Sequence, residues 1–160
     1  MRFELHYYGS HSEVLEEYAR SKDISNCVFL GGFSVEDTAQ FVNRIDVLNN
    51  LYGSGTSHVD YALSIKLYYA IYANLPILVN SGTYMEEVSR KLGIGFVVEQ
   101  IDEDLPDRFY KWYTDLDYTN LIKYCQAALE GIREDQSHFL EAVDDLICSF
   151  TTNGGDGDAS

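Results

Sequence analysis

Basic side chains are scarce in this chain: 11 Lys and Arg stand against 26 Asp and Glu, a formal net charge of −15 over 160 residues. The summed field of such a surface repels phosphate, which argues against nonspecific attraction to nucleic acid or to an anionic bilayer. A phosphate-bearing ligand must therefore be held locally. Cysteine is sparse as well. Cys27, Cys125 and Cys148 are odd in number and lack the paired spacing of a zinc or redox motif, so they read as reduced, mostly buried thiols of a cytoplasmic chain. No stretch approaches the ~20 apolar residues of a spanning helix. The most apolar region, Ala62 to Val79, is interrupted by Lys66, Asn74 and Pro76. The N-terminus has no basic start followed by an apolar run, so no signal peptide is expected.

What is present suffices for a packed core. Hydrophobic residues make up 46% of the chain and aromatics 14%, and 18.2 kDa fits one domain. We place that domain at residues 1–150. Residues 151–160 carry no large apolar side chain and three glycines, the composition of a disordered acidic tail.

Up to about residue 98, short apolar runs alternate with longer amphipathic segments, the pattern of parallel β-α-β units in an α/β fold. Strands are predicted at Phe3–Tyr8, Cys27–Leu30, Ile45–Leu48, Pro76–Val79 and Gly95–Val98, in one parallel sheet of about five to six strands flanked by helices. Ser12 is placed to cap a helix that carries Val14, Leu15 and Tyr18 on one face. Ser34 is placed to cap a second, with Glu36 and Asp37 in its first turn and Phe41 and Val42 inward. Leu63, Leu67, Ala70, Ile71 and Asn74 recur at helical spacing, with Pro76 ending the helix. A further helix spans Tyr84 to Leu92, and extra C-terminal helices are predicted at Glu103–Tyr113, Asn120–Glu134 and Gln136–Phe150.

Ligands of an open parallel sheet collect at the carboxyl ends of its strands. The loops there hold Gly9-Ser10, Gly31-Gly32, Asn49 to Gly55, and Asn80-Ser81-Gly82-Thr83. Four loops that combine glycine with a hydroxyl or amide allow close backbone approach to an anion, although each alone is what any strand-to-helix loop contains. Ser64-Ile65-Lys66 is more pointed, because a hydroxyl at a helix start and an ammonium two residues on can both face a phosphate. Without a ligand the same pattern is a surface lysine on a capped helix. His6, His11, His58 and His138 show no metal-ligand spacing, so no metal is expected. His58 with Asp60 is a weak acid–base pair, and Tyr61, Tyr68, Tyr69 and Tyr72 crowd one helix surface. Trp112, Tyr110 and Tyr113 suit a helix anchor.

Four segments in order, Asp46 to Tyr52, Ala62 to Tyr68, Leu75 to Val79 and Gly93 to Val98, make the chain resemble the C-terminal, donor-binding half of a GT-B glycosyltransferase. It is most similar to the group-1 and capsular or exopolysaccharide transferases of bacteria, over residues 3 to 98. The resemblance implies a Rossmann-like fold that binds a nucleotide-sugar, a UDP- or GDP-sugar as donor substrate, with no cofactor. It puts Lys66 on the diphosphate, Ser81, Gly82 and Thr83 beside the sugar or phosphate, and Glu87 near the nucleotide-sugar. Gly9, Ser10, Gly31 and Ser64 complete the implied binding set. Two departures stand out. The pair of glutamates that many retaining members carry ahead of the proline strand falls here on Tyr61 and Tyr69, neither a carboxylate. The chain also opens directly on the first strand of this half, which implies an acceptor-binding lobe on a partner chain and any membrane association through that partner. The alternative is a non-catalytic Rossmann-like interaction module, or an inactive remnant, that docks through its tyrosine-rich face.

Overall fold

The computed structural model describes residues 3–34 and 37–153. Its five strands are β1 (Leu5–Tyr7), β2 (Cys27–Phe29), β3 (Leu48–Asn50), β4 (Ile77–Asn80) and β5 (Gly95–Val98). The helices are α1 (Glu13–Ser21), α2 (Thr38–Val42), α3 (Ser57–Tyr61), α4 (Ile65–Ala73), α5 (Tyr84–Lys91), α6 (Leu105–Thr114) and α7 (Tyr118–Asn153). All pairing is parallel, as expected, but the strands form two sheets rather than one of five to six. β1 pairs with β2, Leu5 opposite Cys27, and β3-β4-β5 form the second sheet, with Asn50 opposite Val79 and Val79 opposite Val97.

The reason for the division is burial. A parallel strand must be covered on both faces. The second sheet is: Leu48, Ile77, Val79 and Val98 are buried, and the first three form the core with Leu67, Ala70 and Ile71 of α4, Met85, Ile94, Leu121 and Cys125. Burial pushes the Cys125 thiol up to about 11. Among the described residues the first sheet is covered less, by α1 and by Phe41 of α2 stacked on Tyr8. Leu5 and Tyr7 are exposed there, and so are Val14, Leu15 and Tyr18 of α1, where only Ala19 is buried. Aromatic rings tie it to the rest. Phe3 lies 5.3 Å from Phe109 of α6, and Phe109 lies 5.3 Å from Phe96 of β5. Phe96 also meets Trp112 at 5.3 Å, in keeping with a helix anchor.

Local signals explain the element ends. Ser64 caps α4 by accepting a hydrogen bond from Lys66 N–H. The helix closes ahead of Pro76 as expected, at the C-cap Asn74, which turns left-handed at φ 55° while Leu75 N–H bonds to Ala70 O. Pro76 is buried and its carbonyl accepts from Leu48 N–H, which fixes the start of β3 three residues later than expected. Thr83 caps α5 through Glu86 N–H. Ser12 stands at the N-cap of α1 without a side-chain hydrogen bond. α2 begins at Thr38 with Asp37 at its N-cap rather than Ser34, whose hydroxyl donates to the Asp37 carboxylate at 2.9 Å. Glu36 lies outside the described residues.

The two last helices expected separately are one continuous helix, α7, which runs through Asn153 into the stretch read as tail; residues 154–160 lie outside the described residues. Among the described residues no helix is long and apolar enough to cross a membrane.

Candidate functional site

Two strand ends and two helix starts converge at one edge of the second sheet. Asn50 and Asn80 are the last residues of β3 and β4, and Ser64 and Thr83 are the N-caps of α4 and α5. Between them lies a cleft of about 420 Å³, lined also by Tyr52, Gly53, His58, Val59, Ala62 and Met85. A smaller one of about 300 Å³ adjoins it at Thr83 and is lined by Asp60, Tyr61, Gly82, Tyr84 and Glu87. Both helix N-termini present the positive end of their dipoles to this edge.

Lys66 sits in the first turn of α4. Its ammonium donates to Asn49 O at 2.7 Å and lies 4.7 Å from the centre of the Tyr52 ring, so the charge rests against the loop that follows β3. Thr83 is committed on both sides. Its hydroxyl donates to Asn80 O at 2.8 Å and accepts from Glu86 N–H at 3.2 Å.

The glycine amides expected to face an anion are taken up by the protein's own oxygens. Gly53 N–H donates to Asn80 Oδ1 at 2.8 Å, Gly55 N–H to Asp60 Oδ1 at 2.9 Å, and Gly82 N–H to Glu86 Oε2 at 2.8 Å. Glu86 also pairs with Arg90 at 2.9 Å. The left-handed φ of 87°, 97° and 74° at Gly53, Gly55 and Gly82 is what lets these amides turn inward to such acceptors.

The expected site residues fall into two groups. Ser64, Lys66, Ser81, Gly82, Thr83 and Glu87 gather at the second sheet, where Ser64 and Thr83 line the larger cleft and Gly82, Thr83 and Glu87 the smaller. Ser81 lies just past β4 and extends its ladder, N–H to Val98 O at 3.1 Å. Gly9, Ser10 and Gly31 belong to the first sheet, where Gly9 N–H bonds to Gly31 O at 2.8 Å, and neither cleft is lined by them. His58 and Asp60 are held in α3 rather than in a loop, and they face different clefts. Tyr61 is also part of α3; Tyr68, Tyr69 and Tyr72 are on α4, with Tyr68 and Tyr72 exposed and Tyr69 packed at the core. Among the described residues no group of three His, Cys, Asp or Glu is placed to hold a metal.

Sequence reasoning passed over the side chains of Asn50 and Asn80. Both were named only as amides of glycine-bearing loops, although each ends a strand beneath a capped helix.

No family model matches the chain, and no curated protein matches it. Among solved structures it is similar to WaaG, a glycosyltransferase involved in lipopolysaccharide biosynthesis, with a TM-score of 0.54 and 21% identity over 77% of this chain and 32% of that one. The chain thus spans about a third of that protein's length. At this identity the likeness is one of fold: parallel sheets flanked by helices, arranged as in part of a glycosyltransferase.

Proposed function

We propose that this chain is the nucleotide-sugar-binding, C-terminal half of a GT-B glycosyltransferase of the group-1 or capsular type, used inside the cell in surface polysaccharide assembly. The observation that carries this is the 420 Å³ cleft bounded by the N-caps of both α4 and α5, with the ammonium of Lys66, from the first turn of α4, resting against Asn49 O and the Tyr52 ring beside it. Two helix N-termini and one ammonium concentrate positive potential against a background of −15. A diphosphate between them would be stabilised both as bound donor and as the leaving group when its sugar is transferred to an acceptor hydroxyl. The acceptor is then bound by a separate lobe. The three free cysteines accord with a reducing compartment.

Calorimetric titration with UDP- and GDP-sugars tests the proposal. Binding is expected, weakened about tenfold by Lys66→Ala, the usual loss for one charge-assisted hydrogen bond. Silence with every nucleotide would overturn it.

One observation favours a non-catalytic module instead: Tyr61, 79% exposed, lines the smaller cleft at a position where the resemblance to the transferases implies a carboxylate. Size-exclusion chromatography with an acceptor-type lobe encoded in a neighbouring reading frame separates the two. Docking without sugar transfer supports the module, and transfer by the pair supports the split enzyme.

A further inference from the structure

One apolar line runs along the whole of α7. Cys125, Leu129 and Ile132 follow one another at steps of four and three residues and pack at the core; after Gln136, the residues Phe139, Val143, Leu146 and Phe150 continue the same steps on the same side of the helix. This second half runs past the core. Residues 133–153 extend for about 30 Å at 1.5 Å per residue, and Phe139, Leu140, Leu146 and Phe150 on it are each more than half exposed. Charge is kept off the line. Between residues 136 and 150 the acids Glu141, Asp144 and Asp145 point away from it, and no Lys or Arg follows Arg133 in the helix.

These features decide what covers the line. An anionic bilayer is repelled by the three acids and finds no Lys or Arg to hold it. A partner selected by charge finds no charge there to answer. A second copy brings the same uncharged line, and the area suffices: four large side chains more than half exposed, at roughly 200 Å² each, give roughly 500 Å² on one copy and about 1,000 Å² on two, the lower bound for a specific interface. Direction follows from where the core lies. Buried Leu121 and Cys125 place it on the same side of α7 as the line, so a parallel partner helix, about 10 Å away, would run into it, whereas an antiparallel one overlaps only the exposed half. We propose that two copies of this chain pair antiparallel through the Phe139–Phe150 line of α7. The pair is closed by a two-fold axis and, for its area, weak.

Sedimentation equilibrium of the full chain, from about 5 to about 500 µM, tests the pairing. The mass is expected to rise from 18.2 kDa towards 2 × 18.2 = 36.4 kDa and to stop there. Leu146→Glu sets a carboxylate in the middle of the line on both copies and is expected to weaken pairing more than tenfold, whereas Leu146→Met, which keeps the volume, pairs as the wild type does. At about 5 µM both variants are expected to melt within about 2 °C of the wild type, because Leu146 is exposed in a single copy. A mass of 18.2 kDa at every concentration overturns the proposal, even where an acceptor-type lobe binds the line instead. So does a pair that Leu146→Glu leaves intact, which puts the interface elsewhere, or a mass that climbs past 36.4 kDa (2 × 18.2 kDa) without limit, which is not a closed pair. A melting temperature of Leu146→Glu lowered by more than about 5 °C at the lowest concentration also overturns it, because Leu146 would then be packed within one copy.

Discussion

At the scale of single residues, the contact between Ser89 and Gly95 decides how closely α5 lies on β5. Ser89 is completely buried, and a Cβ built on Gly95 would stand 2.2 Å from its Oγ, 2.6 Å from its Cβ and 3.2 Å from its backbone carbon. The Ser89 Cβ is fixed by the helix backbone and cannot swing aside as the end of a long side chain can. Gly95→Ala is therefore expected to destabilise the protein by about 2–3 kcal/mol, the range for overpacking a closed interface. Urea unfolding measures it. Adding Ser89→Gly removes the blocking atoms and should restore most of the loss, less the ~1 kcal/mol that glycine costs inside a helix; no recovery would place the strain elsewhere.

At the scale of elements, the parts legible in the sequence are those where local and tertiary preferences agree. β4 and β5 are continuous apolar runs, and α4 repeats apolar residues at the helical period, so their existence and type follow from the residues. Ser64 announced its helix for the same reason, as a hydroxyl ahead of an apolar run, whereas Thr83 reads in the sequence as a loop residue and is the cap of α5. β3 was displaced because its last two residues are asparagines, which belong to loops by propensity; pairing with β4 draws them into extended form and buries Asn50. The larger cleft was only half legible. Its caps show in the sequence, but its asparagine floor is a product of register. α7 was divided because its apolar contacts stop halfway. Leu121 and Cys125 are buried and Ala128, Leu129 and Ile132 partly so, whereas Phe139, Leu140, Leu146, Ile147 and Phe150 are all more than half exposed. In a single copy, a stretch of some 20 helical residues that buries so little apolar surface is marginal in water. Hydrogen exchange is thus expected to be strongly slowed from residue 121 to 132 and close to free-peptide rates beyond 134, and a chain ended at 134 should melt within about 2 °C of the whole. Even protection along α7 would contradict this.

At the scale of the whole molecule, the division into two sheets follows from a shortage of cover. The core cluster draws on β3, β4, α4, α5 and α7 but on nothing from β1 or β2, whose link to the rest runs through rings, Phe3 to Phe109 to Phe96. The sequence predicted five parallel strands correctly and their union wrongly, because strand patterns record what each segment can bury and not whether a neighbour is there to bury it. A molecule held in this way should loosen in parts. Phe109→Ala removes the ring common to both sides of the bridge, at an expected cost of about 2 kcal/mol. Two of the protein's own thiols report where that cost falls. Cys27 is half-buried in β2, and Cys125 is fully buried in the core, its thiol held protonated by burial up to about pH 11. With a thiol reagent under native conditions at pH 7.5, Phe109→Ala is expected to speed labelling of Cys27 about tenfold and leave Cys125 at its wild-type rate. Acceleration of both thiols together would mean that the sheets open as one cooperative unit and that the aromatic bridge is not the weaker joint.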